Sequence, residues 1–156
     1  MQRRHRILIV DDNPVNVTVL EEILRAEYCL GIATSGEEAL EMTPHFQPAL
    51  ILLDVMMPGV DGYETCRRLR ATPSQRGAKI IMVSAKEMVA ERLKAYEVGA
   101  DDYIVKPFEP DELLAKVRVY LRLQSVEEID QLKTEILTLL SDKTRNPLNG
   151  ILGPVQ

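Results

Sequence analysis

The chain has 156 residues, 46% of them apolar and 28% charged, with a formal net charge of −5 at pH 7. That balance is ordinary for a globular protein and unlike disordered or fibrous chains, and it gives no support for nucleic-acid binding, since the basic opening Gln2-Arg3-Arg4-His5-Arg6 is too short to change it. No apolar stretch approaches the roughly 20 residues that span a bilayer, and no apolar region follows the basic start as a secretory signal requires, so a cytoplasmic location away from membranes is expected.

The first element is the apolar run Ile7 to Val10, which ends on Asp11-Asp12. Asn13-Pro14 then supplies a cap followed by proline at the first helical position, opening a helix to about Ala26. Tyr28 to Ala33 fits a second strand. Ser35 and Glu38 have capping-box spacing and open the second helix. Leu50 to Leu53 ends on Asp54, and Gly59 and Gly62, around Val60-Asp61, give the following loop freedom to turn away. Ile80 to Val83 ends on Ser84, and a helix is expected over Met88 to Val98. Tyr103 to Val105 ends on Lys106, beside Pro107, a candidate cis peptide. Glu109-Pro110 repeats the proline device at the fifth helix.

Short Ile, Val and Leu runs suit strands covered on both faces, and their alternation with amphipathic stretches argues a parallel sheet built from βαβ units. Five strands and five helices reach to about Leu123. Cys29 and Cys66 lack CxxC spacing and fit packing roles in a reducing compartment. His5 and His45 are isolated and fit surface positions.

In such a sheet, ligands bind in the crevice at the carboxyl ends of the strands. Asp11, Asp12, Asp54, Ser84 and Lys106 all follow strands and converge there. Three carboxylates, a hydroxyl and a lysine suit a divalent cation and a phosphoryl group. Asp54, at the end of the middle strand, is the best nucleophile, because a carboxylate can form an aspartyl phosphate. Asp11 and Asp12 are then metal carboxylates, whose mutual repulsion a hard ion such as Mg²⁺ relieves. Lys106 can pair with Asp54 and later with phosphoryl oxygens, and Ser84 can donate a hydrogen bond to another.

The segments ILIVDDNPVN, LILLDVMMPGVDGYE, IIMVSA and GADDYIVKPF resemble, in order and spacing, the receiver domains of two-component response regulators, over residues 6 to about 123. The resemblance implies a flavodoxin-like sheet of order 2-1-3-4-5, with Mg²⁺ at Asp11, Asp12, Asp54 and the main-chain carbonyl of Met56. It also implies phosphorylation of Asp54 by a histidine kinase, a phosphotransfer protein or a small acyl phosphate. Ser84 matches the switch hydroxyl and Tyr103 the aromatic that follows it. A phosphoryl group adds nearly two charges and three acceptors, so Ser84 and Lys106 can be drawn toward it, vacating space for Tyr103. The surface of helix 4, strand 5 and helix 5 would then change. Met56 and Lys86 match the positions that control access of water to the phosphoryl group.

From Asp111 to Arg145 there is no Gly or Pro, so the fifth helix can run well past the receiver. Within the extension, residues 124–156, Ile129, Leu132, Ile136 and Leu139 keep the 3,4,3 spacing of a coiled-coil seam, which predicts a homodimer. The segment LKTEILTLLSDKTRNPLNGILG resembles the first dimerisation helix of histidine kinases: Ser141, Arg145, Pro147, Leu148 and Asn149 match. Asp142 stands where the phosphorylatable histidine belongs, and Lys143 replaces the acid. Aspartate cannot form the phosphoramidate that such kinases pass on, so no kinase activity is expected. Two rivals remain. One is a scaffold derived from a hybrid kinase and indifferent to phosphorylation; the other is a phosphatase of the haloacid dehalogenase type, which wants an aspartate where Met56 stands.

Overall fold

The structure, a computed structural model, describes residues 4–152, with side chains through Ser141. Eleven elements follow one another: β1 (Arg6–Val10), α1 (Pro14–Leu24), β2 (Cys29–Ala33), α2 (Gly36–Phe46), β3 (Leu50–Asp54), α3 (Gly62–Ala71), a 3-10 turn (Pro73–Gln75), β4 (Lys79–Ser84), α4 (Val89–Glu97), β5 (Asp102–Val105) and α5 (Pro110–Leu152). The strands form one parallel sheet in the order β2-β1-β3-β4-β5. This is the expected flavodoxin-like, doubly wound arrangement with a long C-terminal helix.

Alternation along each strand sends side chains to two covered faces. Ile7, Ile9, Leu50, Leu52, Ile81, Val83 and Ile104 pack with Val17, Leu20 and Leu24 of α1 and with Leu113, Val117 and Leu121 of α5. Leu8, Val10, Ile51, Leu53, Ile80 and Met82 point the other way, onto Ala39 of α2, Cys66 and Leu69 of α3 and Ala95 of α4. The interior of each central strand is therefore apolar on both sides, because both faces are buried, and polar residues stand only at the strand ends.

Helix starts carry the expected caps. The Asn13 side chain accepts from the Val15 N–H at 2.9 Å, and α1 begins at Pro14, ending at Leu24 rather than Ala26. Ser35 accepts from the Glu38 N–H at 3.0 Å, but Glu38 reaches back to the N–H of Thr34 rather than of Ser35, one residue beyond a capping box. The α3 cap is Asp61, accepting from the Glu64 N–H at 2.9 Å. Cys66 is buried as expected, whereas Cys29 is exposed at the start of edge strand β2, so it takes no part in the core.

The chain divides into two units, Met1–Gln124 and Ser125–Gln156. In the second, Ile129, Leu132, Ile136 and Leu139 are 54%, 56%, 48% and 61% exposed. Asp142, Lys143, Arg145, Pro147, Leu148 and Asn149 lie outside the residues whose side chains are described. Among the described residues, no helix is long and apolar enough to cross a membrane.

Candidate phosphoryl-acceptor site

Where β1 lies beside β3, the connections from their carboxyl ends leave in opposite directions along the sheet and open a crevice. Asp11 follows β1 and Asp54 closes β3. With Asp12 they place one carboxylate oxygen each within 4.8 Å of the others. Asp11 is 2% and Asp54 7% exposed, while Asp12 faces solvent. The Asn13 N–H donates to Asp11 at 2.9 Å and fixes its carboxylate. From the end of β5, Lys106 Nζ lies 3.4 Å from Asp11 Oδ2 and 3.6 Å from Asp54 Oδ1.

Burial pushes the Asp54 carboxyl up to about 6, helped by the neighbouring charges of Asp11 and Asp12; Lys106 and the Met56 backbone N–H pull the other way. Two buried carboxylates and one exposed one thus lie about a single ammonium. An all-oxygen donor set of this kind fits a small hard divalent cation. The cation's charge would favour the ionised Asp54 carboxylate, which burial first and its carboxylate neighbours second disfavour.

Two glycines shape the loop behind the acceptor for different reasons. Gly59 has a φ of +77°, the left-handed region. Gly62 is required by space instead: a Cβ there would meet the Asp54 carbonyl oxygen at 2.3 Å, and the Gly62 N–H donates to the Val55 carbonyl. The Lys106–Pro107 peptide is cis.

Ser84 ends β4 fully buried, and its hydroxyl oxygen accepts from the Lys86 N–H at 3.1 Å. Tyr103 is also buried, and its hydroxyl donates to the Lys86 carbonyl at 2.8 Å. Ser84 and Tyr103 thus bind the two backbone groups of the same residue, Lys86. Met56 is 57% exposed beside the acceptor. The Lys86 ammonium pairs with Glu91 Oε1 at 3.6 Å, so α4 holds it.

Sequence reasoning missed the anchor of α4. Tyr63 on α3 donates to Glu91 Oε2 at 2.6 Å, and Lys94 lies over the Tyr63 ring at 4.4 Å. Burial, then Glu91, raise the Tyr63 phenol, while that same bond lowers the Glu91 carboxyl. These partners are 28 residues apart, and no local pattern marks such a pair. An apolar cavity of about 460 Å³, lined by Val19, Leu20, Ile23, Pro107 and Phe108, also reaches Lys106 from the α1 side.

The model of the response regulator receiver domain matches residues 7–118. The chain belongs to this family. The receiver is 41% identical over 130 residues to the DNA-binding response regulator MtrA of Mycolicibacterium smegmatis, covering 83% of this chain and 56% of MtrA. It is 41% identical over 129 residues to the response regulator PleD of Caulobacter vibrioides, covering 82% of this chain and 28% of PleD. It thus spans little more than half of the first relative and under a third of the second. Among solved structures, a CheY-like receiver domain protein from Methanospirillum hungatei superposes with a TM-score of 0.74 at 32% identity, over 80% of this chain and 99% of that one. The BeF3-activated N-terminal receiver domain of Klebsiella pneumoniae RstA gives 0.71 at 33%, over 76% and 99%. Receiver domains bind Mg²⁺ at an acidic pocket and take phosphoryl groups from histidine kinases, and this receiver has the acidic pocket.

Proposed function

We propose that the chain is a phosphorylation-switched receiver in which Asp54 accepts a phosphoryl group from a histidine kinase, a phosphotransfer protein or a small acyl phosphate. The convergence of Asp11, Asp12 and Asp54 within 4.8 Å, with Lys106 beside two of them, carries this reading. Asp11, Asp12, Asp54 and the Met56 carbonyl would hold Mg²⁺, which when bound would supply positive charge against that of the carboxylates and of the incoming phosphoryl group. An Asp54 oxygen forms its bond to phosphorus as the donor's bond breaks. Lys106 leaves its carboxylate partners for a phosphoryl oxygen, and Ser84 donates its hydroxyl to another.

The switch follows from Lys86. Its N–H is held by Ser84 and its carbonyl by Tyr103, so drawing the Ser84 hydroxyl toward a phosphoryl group releases the N–H side of that residue. The loop before α4 then shifts, and Tyr103 carries the change to β5. On this side Met88, Val89, Leu93 and Tyr96 are exposed, an apolar surface suited to an output partner. Met56 and Lys86 tune how readily water reaches the phosphoryl group.

The receiver catalyses only its own phosphorylation and dephosphorylation, in the cytoplasm, without binding nucleic acid. The extension serves as a homodimerisation arm related to a kinase dimerisation helix, with Asp142 in place of the phosphorylatable histidine and hence no kinase activity. Incubation with acetyl phosphate and Mg²⁺ tests the acceptor. One phosphoryl group should be added, and Asp54→Asn should abolish it; equal labelling of that variant overturns the assignment.

A further inference from the structure

The proposed arm specifies how two copies align. Numbered as a heptad, Ile129 and Ile136 take the a positions and Leu132 and Leu139 the d positions, all about half exposed. Glu128 and Glu135 fall at g, and Lys133 at e. Isoleucine at a with leucine at d favours two parallel strands, because the β-branched and γ-branched side chains fit different packing geometries.

Charge gives the same orientation independently. In a parallel pair, g of one helix faces e of the next heptad on the other, so Glu128 meets Lys133 of the second copy, twice by symmetry. If the same seam is paired antiparallel, g faces g and e faces e. Glu135 would then meet Glu135 of the second copy and Lys133 would meet Lys133. Both contacts place like charges together.

We infer that residues 126–140 of two copies of this chain pair as a parallel, in-register, two-stranded coiled coil whose orientation is set by Glu128–Lys133 pairs between the copies. This rests on the dimerisation reading above. Val126 and Leu140, both about half exposed, extend the apolar stripe at the two ends of the seam.

Light scattering and cysteine cross-linking of the full chain separate the two readings. The exposed Cys29 is first replaced by Ser, and Cys66 is buried. A disulfide needs Cα atoms roughly 4.4 to 6.8 Å apart. Parallel register meets that for Ile129→Cys with itself and for Leu139→Cys with itself, so each variant should oxidise to a covalent dimer. Antiparallel pairing would separate the two copies of residue 129 by roughly 15 Å along the axis. It would instead cross-link a mixture of Ile129→Cys and Leu139→Cys, which overturns the orientation while sparing self-association. Gln131→Cys, on the outer face, should stay uncoupled; equal coupling there means collision rather than pairing and overturns the inference. A scattering mass of three or four chains overturns the two-stranded order. A monomer at high micromolar concentration overturns the dimer itself. Glu128→Lys should raise the dimer dissociation constant roughly tenfold. Adding Lys133→Glu should restore it, and failure of that restoration removes the charge argument.

Discussion

The two units of the chain draw on the same apolar residue types and dispose of them in opposite ways. Up to Gln124, the regularly spaced residues of α1 and of the start of α5, such as Leu20, Leu24, Leu113, Val117 and Leu121, are at most 4% exposed against the sheet. Beyond it, Ile129, Leu132, Ile136 and Leu139 repeat at helical spacing and stay about half exposed. Burying such a side chain fully stabilises by roughly 1.5 to 3 kcal/mol. The first unit has taken that gain within itself, and the described side chains of the second have not. Stability is thus expected to reside in the receiver, and association in the arm.

The sharpest way to break this contrast is to charge the seam. Leu132→Glu with Ile136→Glu removes half of the eight seam side chains of a dimer, several kcal/mol of gross burial before association costs. Light scattering should report a monomer, and circular dichroism should report an intact receiver. Loss of the receiver's fold would show that the units are not separate in energy.

The next effect lies within the receiver. Burial and neighbouring carboxylates raise the Asp54 carboxyl from 3.8 to about 6 in the folded, metal-free protein. A raised carboxyl binds more protons folded than unfolded, so its contribution is fully present below about pH 4 and is lost as pH rises through 6. At pH 7 the charge therefore costs roughly 2 to 3 kcal/mol. Asp54→Asn should raise the metal-free denaturation midpoint at pH 7, with the difference vanishing toward pH 4. An equal midpoint at pH 7 would show that the crevice does not strain its acceptor.

Asp12→Ala should weaken Mg²⁺ binding at least tenfold, about 1.4 kcal/mol, by calorimetric titration. The fold should survive or gain stability as carboxylate repulsion falls. Unchanged affinity would take Asp12 out of the metal site. Tyr103→Phe is the smallest perturbation. It leaves the Lys86 carbonyl without the phenol and should cost about 1 kcal/mol in denaturant unfolding, with phosphate acceptance retained.

The site was legible because each of its residues ends an apolar run, and strand order alone carries the ends together: Asp11 after Val10, Asp54 after Leu53, Ser84 after Val83, Lys106 after Val105. Strand edges and helix ends moved by one or two residues, since propensity does not set where pairing stops. What was not legible depends on contacts distant in sequence. Tyr63 with Glu91 is one case, and the Tyr103 hydroxyl on the Lys86 carbonyl, 17 residues away, is another, because such contacts follow packing and not local pattern. Exposed Cys29 shows the converse, a small hydrophobe at the start of an edge strand that stays open to solvent.

Intact-mass measurement after incubation with acetyl phosphate, with and without Mg²⁺, tests the central claim most directly when run on wild type, Asp54→Asn and Leu132→Glu/Ile136→Glu. Wild type and the seam variant should each gain a single phosphoryl group, only with Mg²⁺, and Asp54→Asn should gain none. Labelling of Asp54→Asn to the wild-type extent, or labelling that ignores Mg²⁺, would contradict the assignment of this crevice as the phosphoryl acceptor.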